Sequence, residues 1–210
     1  MILLAGNYCH DLIIGEDSEE TRTLGGSVAY AAAILDAFGE PFAVGLALGI
    51  AGEVPLPVLQ RMREICAVVL ADAQSLLRRI GPRGEVLLGP LDERAVPQLD
   101  WLKASRSEAA LLDLAALRRR VRVVVTDGLC GSTLFDADGE AHVQAEPATE
   151  RDPTGAGDCF LAGFALGLSR GYAPAQAAAL GSFCGARAVE HVGVPRLSRA
   201  DLQRARSIWT

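Results

Sequence analysis

The sequence predicts an α/β fold in which a mainly parallel central sheet is packed between helices. Two observations support this fold class. Short apolar runs of strand length alternate with helical segments along the chain. Half of the 210 residues are hydrophobic and only 5% are aromatic, so the core consists mainly of Ala, Leu and Val. A chain of this length suits one domain, residues 1–210, with a sizeable core.

The first half of the chain begins with an apolar strand and continues with a predicted β-hairpin at residues 12–24, whose turn is acidic. Gly39 ends the first helix, and Pro55 or Pro57 opens the second. The predicted elements, in order, are strand 1–5, hairpin 12–24, helix 28–38, strand 42–48, helix 55–64, strand 67–71, helix 74–79 and a loop over 81–90 that contains a short strand.

The second half repeats the alternation, with a capping box at Ser105 and Glu108 that predicts a helix start. The predicted elements are strand 99–103, the helix capped by Ser105, helix 112–119, strands 121–126, 132–136 and 140–145, helices 160–168 and 174–190, and a short helix capped by Ser198. The last two long helices each carry glycines four positions apart, which predicts close packing of their backbones: Gly163 and Gly167, and Gly181 and Gly185.

A glycine-rich turn joins the last strand to an apolar helix. Thr154 is predicted to cap that helix, and Gly155 and Gly157 leave the turn without side chains. Free N–H groups at a helix N-terminus and the positive end of the helix dipole bind anions. Asp158 follows in the first helical turn, where it can take a proton from an alcohol while the turn holds a phosphoryl group. The alternative is an ordinary capped helix start, in which the Asp158 carboxylate only interacts favourably with the helix dipole.

The string Asp-x-Thr-Gly-Ala-Gly-Asp at residues 152–158 resembles the C-terminal signature of the ribokinase-like (PfkB) carbohydrate kinases. The resemblance implies a ribokinase-like three-layer fold with a reduced β lid. It also implies an ATP-dependent kinase that phosphorylates a hydroxyl of a sugar or cyclitol, with Asp158 as the catalytic base. The amides of Gly155, Ala156 and Gly157 would hold the transferring phosphate, and Thr154 would contact the cofactor.

Other stretches resemble the acceptor and nucleotide motifs of the family. Asp11 matches an Asp that binds acceptor hydroxyls, a role that suits a carboxylate because it accepts from two hydroxyls at once; an ordinary turn residue is the alternative. Gly25 and Gly26 resemble the di-glycine hinge that lets the lid close on the substrate. The resemblance further implies ATP contacts from a strand, its loop and a late helix: Thr126, Gly128, Gly131 and Ser182.

Ser105 and Glu108 stand where the family has an Asn-x-x-Glu motif, with Ser105 in the Asn position. In the family this Glu organises Mg²⁺ through water, so the resemblance implies the same indirect role for Glu108 and a cofactor contact for Ser105. The capping box explains both residues structurally, and the two roles are compatible.

Several separated matches are typical of the branch that resembles plant-type myo-inositol kinases. Tyr30 stands where the family usually has Asn, four positions beyond the second glycine of the hinge. The other matching stretches are residues 6–11, 71–78, 102–109, 181–185 and 189–193.

The middle lid strands of the family are missing, because the chain passes from the strand at 43–49 directly to the helix at 55–64. Only the 12–24 hairpin can serve as a lid, and a small lid excludes water poorly from the γ-phosphate. A second subunit could cover the site, the substrate could be larger, or turnover could be lost. Since a two-stranded ribbon is marginal alone and its edge is open to pairing, we expect a homodimer through residues 12–24.

Net charge and cysteine content limit the partners and the cellular location that the sequence predicts. The net charge of −6 argues against nucleic acid, and 5 scattered cysteines without a CxxC pair indicate reduced thiols in a cytoplasmic protein. No signal peptide is visible, and the most apolar stretch, residues 159–168, is too short to span a bilayer, so no membrane partner is expected. All but one of the 20 basic residues are arginine. The one lysine is Lys103, and we interpret this bias as coding composition rather than function.

Two other function classes remain open. A binding protein with the kinase fold could hold nucleotide or polyol with weak turnover, although such a protein has no need to keep Asp158. Nucleophilic cysteine chemistry at Cys159 is the other, because a helix N-terminus would lower the pKa of its thiol. However, Cys159 follows Asp158 directly, and no histidine lies at a recognisable partner spacing.

Overall fold

A computed structural model describes residues 2–6, 9–14, 20–38, 44–49, 52 and 54–208, with the backbone alone for 2–5, 9–14, 20–25 and 44. The strands are β1 (Ile2–Ala5), β2 (Cys9–Ile14), β3 (Glu20–Gly25), β4 (Val44–Ala47), β5 (Val68–Asp72), β6 (Arg78–Ile80), β7 (Val86–Leu88), β8 (Trp101–Ser105), β9 (Arg122–Thr126), β10 (Ser132–Phe135) and β11 (Glu140–Val143). The helices are α1 (Ser27–Phe38), α2 (Leu56–Ile65), α3 (Ala73–Leu77), α4 (Arg106–Ala109), α5 (Leu114–Leu117), α6 (Ala156–Ser169), α7 (Pro174–Val189) and α8 (Arg199–Ser207).

The central sheet has seven strands in the order β1-β4-β5-β8-β9-β10-β11. The first five of these run parallel, and β10 and β11 add an antiparallel edge. Continuous apolar runs suit the parallel strands because helices cover both faces of such a sheet. The predicted α/β fold with a mainly parallel sheet is therefore confirmed.

Alternating residues of each central strand supply two separate cores. Leu70 and Val124 point into a core that includes α1, α6 and α7. Their neighbours Val69 and Val123 point to the opposite face, into a core that includes α2 and α3. The period-2 geometry of a strand thus produces a helix–sheet–helix sandwich of three layers, as expected.

Helices α6 and α7 pack with their backbones close together. A Cβ on Gly163 would lie 2.9 Å from the Leu180 carbonyl oxygen, and a Cβ on Gly181 would lie 2.8 Å from the Phe160 carbonyl oxygen. Any side chain at these positions would push the helices apart, which confirms the close packing predicted from the glycine spacing. The packing fixes the N-terminus of α6, where the glycine-rich turn lies.

Two hairpins stand apart from the central sheet. The predicted first hairpin is confirmed as the antiparallel pair β2–β3, while its turn at 15–19 and its apolar face lie outside the described residues and side chains. The prediction of one helix over 74–79 was wrong at its C-terminal end. Helix α3 ends at Leu77, and β6 pairs antiparallel with β7, a partner that local helix propensity does not reveal.

No helix in the described part of the chain has both the length and the apolar character needed to cross a membrane.

Candidate active site

The predicted site residues come together where three neighbouring parallel strands end. β5 ends at Asp72, β8 at Ser105 and β9 at Thr126, and the register places Ser105 beside Thr126. Parallel α/β sheets bind ligands in the crevice at the carboxyl ends of their strands. The N-terminus of α6 faces these strand ends, so the turn at 155–157 and Asp158 lie over them.

The residue that begins α6 is Gly155 rather than Thr154. Gly155 adopts a left-handed conformation, φ +74°, and no side chain caps the helix. The predicted Thr154 cap was wrong, because the Thr154 N–H donates 2.9 Å to Asp152 Oδ1 and so belongs to an Asp-stabilised turn. A Cβ on Gly155 would lie 2.0 Å from the Tyr30 ring. Conformation and space therefore both require glycine.

Asp158 lies in the first turn of α6 and is 8% exposed. Burial, above all, and the Asp72 carboxylate raise the pKa of Asp158 from 3.8 to about 7, while Lys103 and a hydrogen bond from the Ser27 side chain act in the opposite direction. Among the described residues, Asp158 Oδ1 has no hydrogen-bond partner. A buried carboxylate oxygen without a partner, with a pKa near neutrality, is suited to accept a proton from a bound ligand.

Sequence reasoning missed a buried ion pair beside Asp158. Lys103 Nζ lies 2.8 Å from Asp72 Oδ2, and the two residues are 5% and 1% exposed. Burial acts to lower the pKa of Lys103, but the Asp72 carboxylate, together with the charges of Asp158 and Glu108, outweighs it, so the pKa is raised and the ammonium stays charged. The sequence analysis did not include Lys103 among the predicted site residues. The available signal was a lysine directly after the apolar pair Trp101 and Leu102, at the end of a predicted strand.

Glu108 is buried and lines a polar cavity together with Asp72, Lys103 and Asp158, and both of its carboxylate oxygens accept hydrogen bonds. The capping box is confirmed: Ser105 N–H donates 2.9 Å to Glu108 Oε2, and Arg78 donates 2.8 Å to Glu108 Oε1. Burial acts to raise the pKa of Glu108, but the hydrogen bonds from Ser105 and the charges of Lys103 and Arg78 lower it. Glu108 is therefore ionised at neutral pH.

A second, apolar cavity adjoins the polar one, and Thr126 and Gly157 line both. Phe160 and Val189 line it on the helical side, and Leu129, 80% exposed, lies at its edge. Six residues predicted from the nucleotide motifs and the glycine-rich turn line this cavity: Thr126, Gly128, Gly131, Ala156, Gly157 and Ser182. Ser182 Oγ accepts from the Glu146 N–H at 2.8 Å and so also holds the cavity wall.

The remaining predicted residues lie elsewhere in the fold. The Thr154 side chain is exposed and lines neither cavity. Asp11 lies in β2 opposite Thr23, and its side chain is outside the described ones. Gly25 ends β3, and Gly26 follows with φ +85°, its carbonyl accepting from the Ala29 N–H at the start of α1.

Cys159 is not a nucleophile in this arrangement. It is fully buried, its thiol donates to the Tyr30 carbonyl, and burial raises the pKa of the thiol well above its usual value. The expected lowering by the helix N-terminus is outweighed by the loss of hydration, so cysteine chemistry is ruled out as the activity of this site.

The sequence matches the model described as the pfkB family of carbohydrate kinases over residues 47–199. An inositol 3-kinase from Zea mays is 46% identical over 171 residues, which cover 80% of this chain and 45% of that protein. The chain thus spans less than half the length of this curated relative.

Solved structures with the same fold cover nearly the whole chain. A pyrophosphate-dependent myo-inositol-1 kinase converted into a myo-inositol-3 kinase superposes with a TM-score of 0.81 at 16% identity, covering 100% of this chain and 99% of that one. A ribokinase from Arabidopsis thaliana complexed with ribose and ATP superposes with a TM-score of 0.75 at 14% identity, covering 97% of this chain and 98% of that one. At these identities the likeness establishes a ribokinase-like fold.

Proposed function

Because the chain belongs to the pfkB family of carbohydrate kinases, we propose that it is an ATP-dependent kinase that phosphorylates a hydroxyl of a sugar or cyclitol. The observation that carries this proposal is Asp158, a buried carboxylate in the first turn of α6 with a pKa of about 7 and one oxygen that has no partner among the described residues. The inositol 3-kinase similarity favours a cyclitol of the myo-inositol type as acceptor.

In the proposed reaction the acceptor hydroxyl oxygen attacks the γ-phosphorus of ATP. The bond from that phosphorus to the β–γ bridging oxygen breaks, and its electron pair leaves with ADP. Asp158 takes the hydroxyl proton at Oδ1, the oxygen that has no partner among the described residues. A base with a pKa near the working pH is efficient because it is both available and strong enough.

The 155–157 turn would hold the transferring phosphoryl group through the amides of Gly155, Ala156 and Gly157, supported by the dipole of α6. The Ala156 N–H also donates 3.2 Å to the Pro153 carbonyl, so it would be shared between that oxygen and the phosphoryl group. Gly157→Val tests this assignment, because even a Cβ would lie 2.5 Å from Lys103 Nζ and the larger side chain would enter the polar cavity. We expect a large loss of ATP affinity in calorimetric titrations. Unchanged nucleotide affinity would mean that the turn only begins the helix.

The apolar cavity supports a nucleotide rather than pyrophosphate as the donor. Pyrophosphate has no base or ribose to cover the apolar side chains of Phe160, Val189 and Leu129, which line a cavity continuous with the 155–157 turn. Thr126, Gly128, Gly131 and Ser182 would contact the nucleotide there, with Thr154 nearer the phosphates. Turnover with pyrophosphate in place of ATP would contradict the donor assignment.

Mg²⁺ fits the polar cavity as a partner of the nucleotide. The carboxylates of Asp72, Glu108 and Asp158 line it, and Mg²⁺ prefers oxygen ligands and keeps several of its waters. Within the described residues, no three His, Cys, Asp or Glu side chains gather to hold a metal ion directly. Both Glu108 oxygens are engaged, so we place Glu108 and Ser105 around the ion through water. When bound, Mg²⁺ supplies charge neutralisation for the β- and γ-phosphates.

The acceptor would lie between Asp158 and the first hairpin. Asp11 in β2 is proposed to bind acceptor hydroxyls, and Gly25 and Gly26 are proposed as the hinge between the hairpin and α1. We also propose that β2–β3 pairs with its copy in a homodimer, because an isolated two-stranded ribbon has an open edge. Sedimentation at micromolar concentration tests the dimer, and a monomer in an active preparation would contradict it.

The central test is product formation with ATP, Mg²⁺ and a panel of sugars and cyclitols, read as ADP release and as phosphorylated acceptor. We expect myo-inositol or a close cyclitol to be phosphorylated, and a thermal-shift screen should identify the same compound because ligands stabilise the native state. ATP binding without product from any acceptor would instead support the alternative, a nucleotide- or polyol-binding protein with a kinase fold.

A further inference from the structure

The Lys103 ammonium is held in place by the register of the sheet. Lys103 and Asp72 are paired on the adjacent parallel strands β8 and β5, at the carboxyl edge where the polar cavity opens. Asp72 divides its two oxygens between partners: Oδ1 accepts from the Gln74 N–H at 3.1 Å, and Oδ2 accepts from Lys103 at 2.8 Å. The carboxylate is therefore fixed by the start of α3, and it fixes the ammonium in turn.

The ammonium lies directly against the 155–157 turn. A Cβ placed on Gly157 would be 2.5 Å from Lys103 Nζ, so the absence of a side chain at Gly157 makes the space for this cation. Lys103, Gly155, Gly157 and Asp158 line the same cavity. An ammonium has three donors. The hydrogen bonds of the described residues use one of them, toward Asp72.

Stability alone does not account for the pair. A buried ion pair contributes little to folding compared with well-packed apolar side chains, because both charges lose their hydration. The strands around it are apolar, and Leu102 and Ala104 on either side of Lys103 are fully buried. A cation at this position gains most when a second anion joins Asp72 around it.

We propose that Lys103 is a phosphate-binding residue of this site, and that Asp72 is the positioning residue that holds its ammonium against the 155–157 turn. This inference rests on the proposed kinase function. Lys103 would contact the transferring phosphoryl group from the sheet side while the turn amides contact it from α6. It stays protonated throughout and stabilises the charge that collects on the phosphoryl oxygens during transfer.

The test compares Lys103→Met, the double variant Lys103→Met/Asp72→Asn, and a matched control. Methionine preserves length and apolar packing. The double variant removes the Asp72 charge together with the Lys103 charge, so we expect it to fold even if the single variant does not. Arg122→Met is the control, because it removes a cation from the neighbouring strand β9 at the opposite edge of the sheet, where Arg122 stacks 4.7 Å over the Trp101 ring.

We expect both Lys103 variants to bind ATP about 10- to 100-fold more weakly in calorimetric titrations with Mg²⁺, the usual scale for a hydrogen bond to a charged group. Affinity for ADP should change less than about threefold, and the Arg122→Met control should bind both nucleotides like the wild type. Wild-type ATP affinity in the double variant would overturn the proposal, as would equal losses for ATP and ADP. A wild type that binds ATP without turnover would refute the kinase function but leave this comparison valid. A wild type that binds no ATP would overturn both.

The pH dependence of turnover distinguishes a role of Lys103 and Asp72 in the site from a role in folding alone. The groups facing Asp158 are Asp72 on β5, Lys103 on β8 and the Ser27 hydroxyl on α1, and Glu108 and Arg78 line the same cavity. Removing the Lys103 charge should move the acid limb of kcat/KM to higher pH, and Asp72→Asn should move it to lower pH. Shifts in the same direction, or none, would overturn the assigned roles.

Discussion

Asp158→Asn distinguishes the catalytic role of this carboxylate from its effect on the free energy of unfolding. The substitution keeps the shape of the side chain but removes the base and the buried charge. We expect turnover with ATP, Mg²⁺ and the acceptor to fall by about 10²-fold or more, the usual scale for loss of a general base. We also expect the variant to be more stable than the wild type at alkaline pH.

The gain in stability follows from the pKa of Asp158, which rises from 3.8 to about 7 on folding. The folded state therefore holds a proton that the unfolded state has lost, and wild-type stability falls as pH rises from about 4 to about 7. At about 1.4 kcal/mol per pH unit, the ionised carboxylate costs the folded protein about 4 kcal/mol above pH 7. Roughly two of these three pH units lie above pH 5, so the stability gap between variant and wild type should widen by about 3 kcal/mol between pH 5 and pH 8.

Urea unfolding of both proteins at pH 5 and pH 8 measures this gap. Comparing two pH values cancels differences in how Asn and Asp pack. Asp36→Asn, at an exposed position on the neighbouring helix α1, is the matched control and should show no such widening. A gap that is equal at both pH values would refute the buried, elevated-pKa carboxylate, and wild-type turnover in Asp158→Asn would refute its role as base.

Three further outcomes test the site. For the wild type, kcat/KM should rise with pH through about 7 as Asp158 loses its proton; a profile that is flat from pH 5 to pH 9 would contradict this. Gly155→Ala, with φ +74° and a Cβ 2.0 Å from the Tyr30 ring, should lose more than about 2 kcal/mol of unfolding free energy, whereas Gly171→Ala, with φ +79° and nothing within 4 Å, should lose about 1 kcal/mol. Equal losses would show that the ring contact does not matter. Leu129→Ser, at an 80% exposed position, should weaken ATP binding several-fold in calorimetric titrations and leave unfolding unchanged, because in the proposed complex the nucleotide base would cover this side chain.

The sequence by itself determined the features that depend on local spacing. The capping box joins Ser105 to Glu108 three positions away, and the Cys159 N–H donates 2.9 Å to the Gly155 carbonyl at the start of α6, which places Asp158 in the first helical turn. Such contacts form within one helical turn, so residue order is enough to predict them. The alternation of apolar strands and helices likewise predicted the layered sheet, because strand and helix periodicities are local properties of the chain.

Only the tertiary structure decided which distant groups meet and how far water is excluded from them. The sheet register brings Lys103 to Asp72 across 31 positions, and α1 brings the Tyr30 ring to Gly155. The pairing of Arg78 with Leu88 ended the predicted helix early. Burial raises the pKa of Cys159, the opposite of the expected shift, and it also raises the pKa of Asp158. Register and burial depend on the packing of the whole chain, and the hydration that each charge loses cannot be read from its neighbours in sequence.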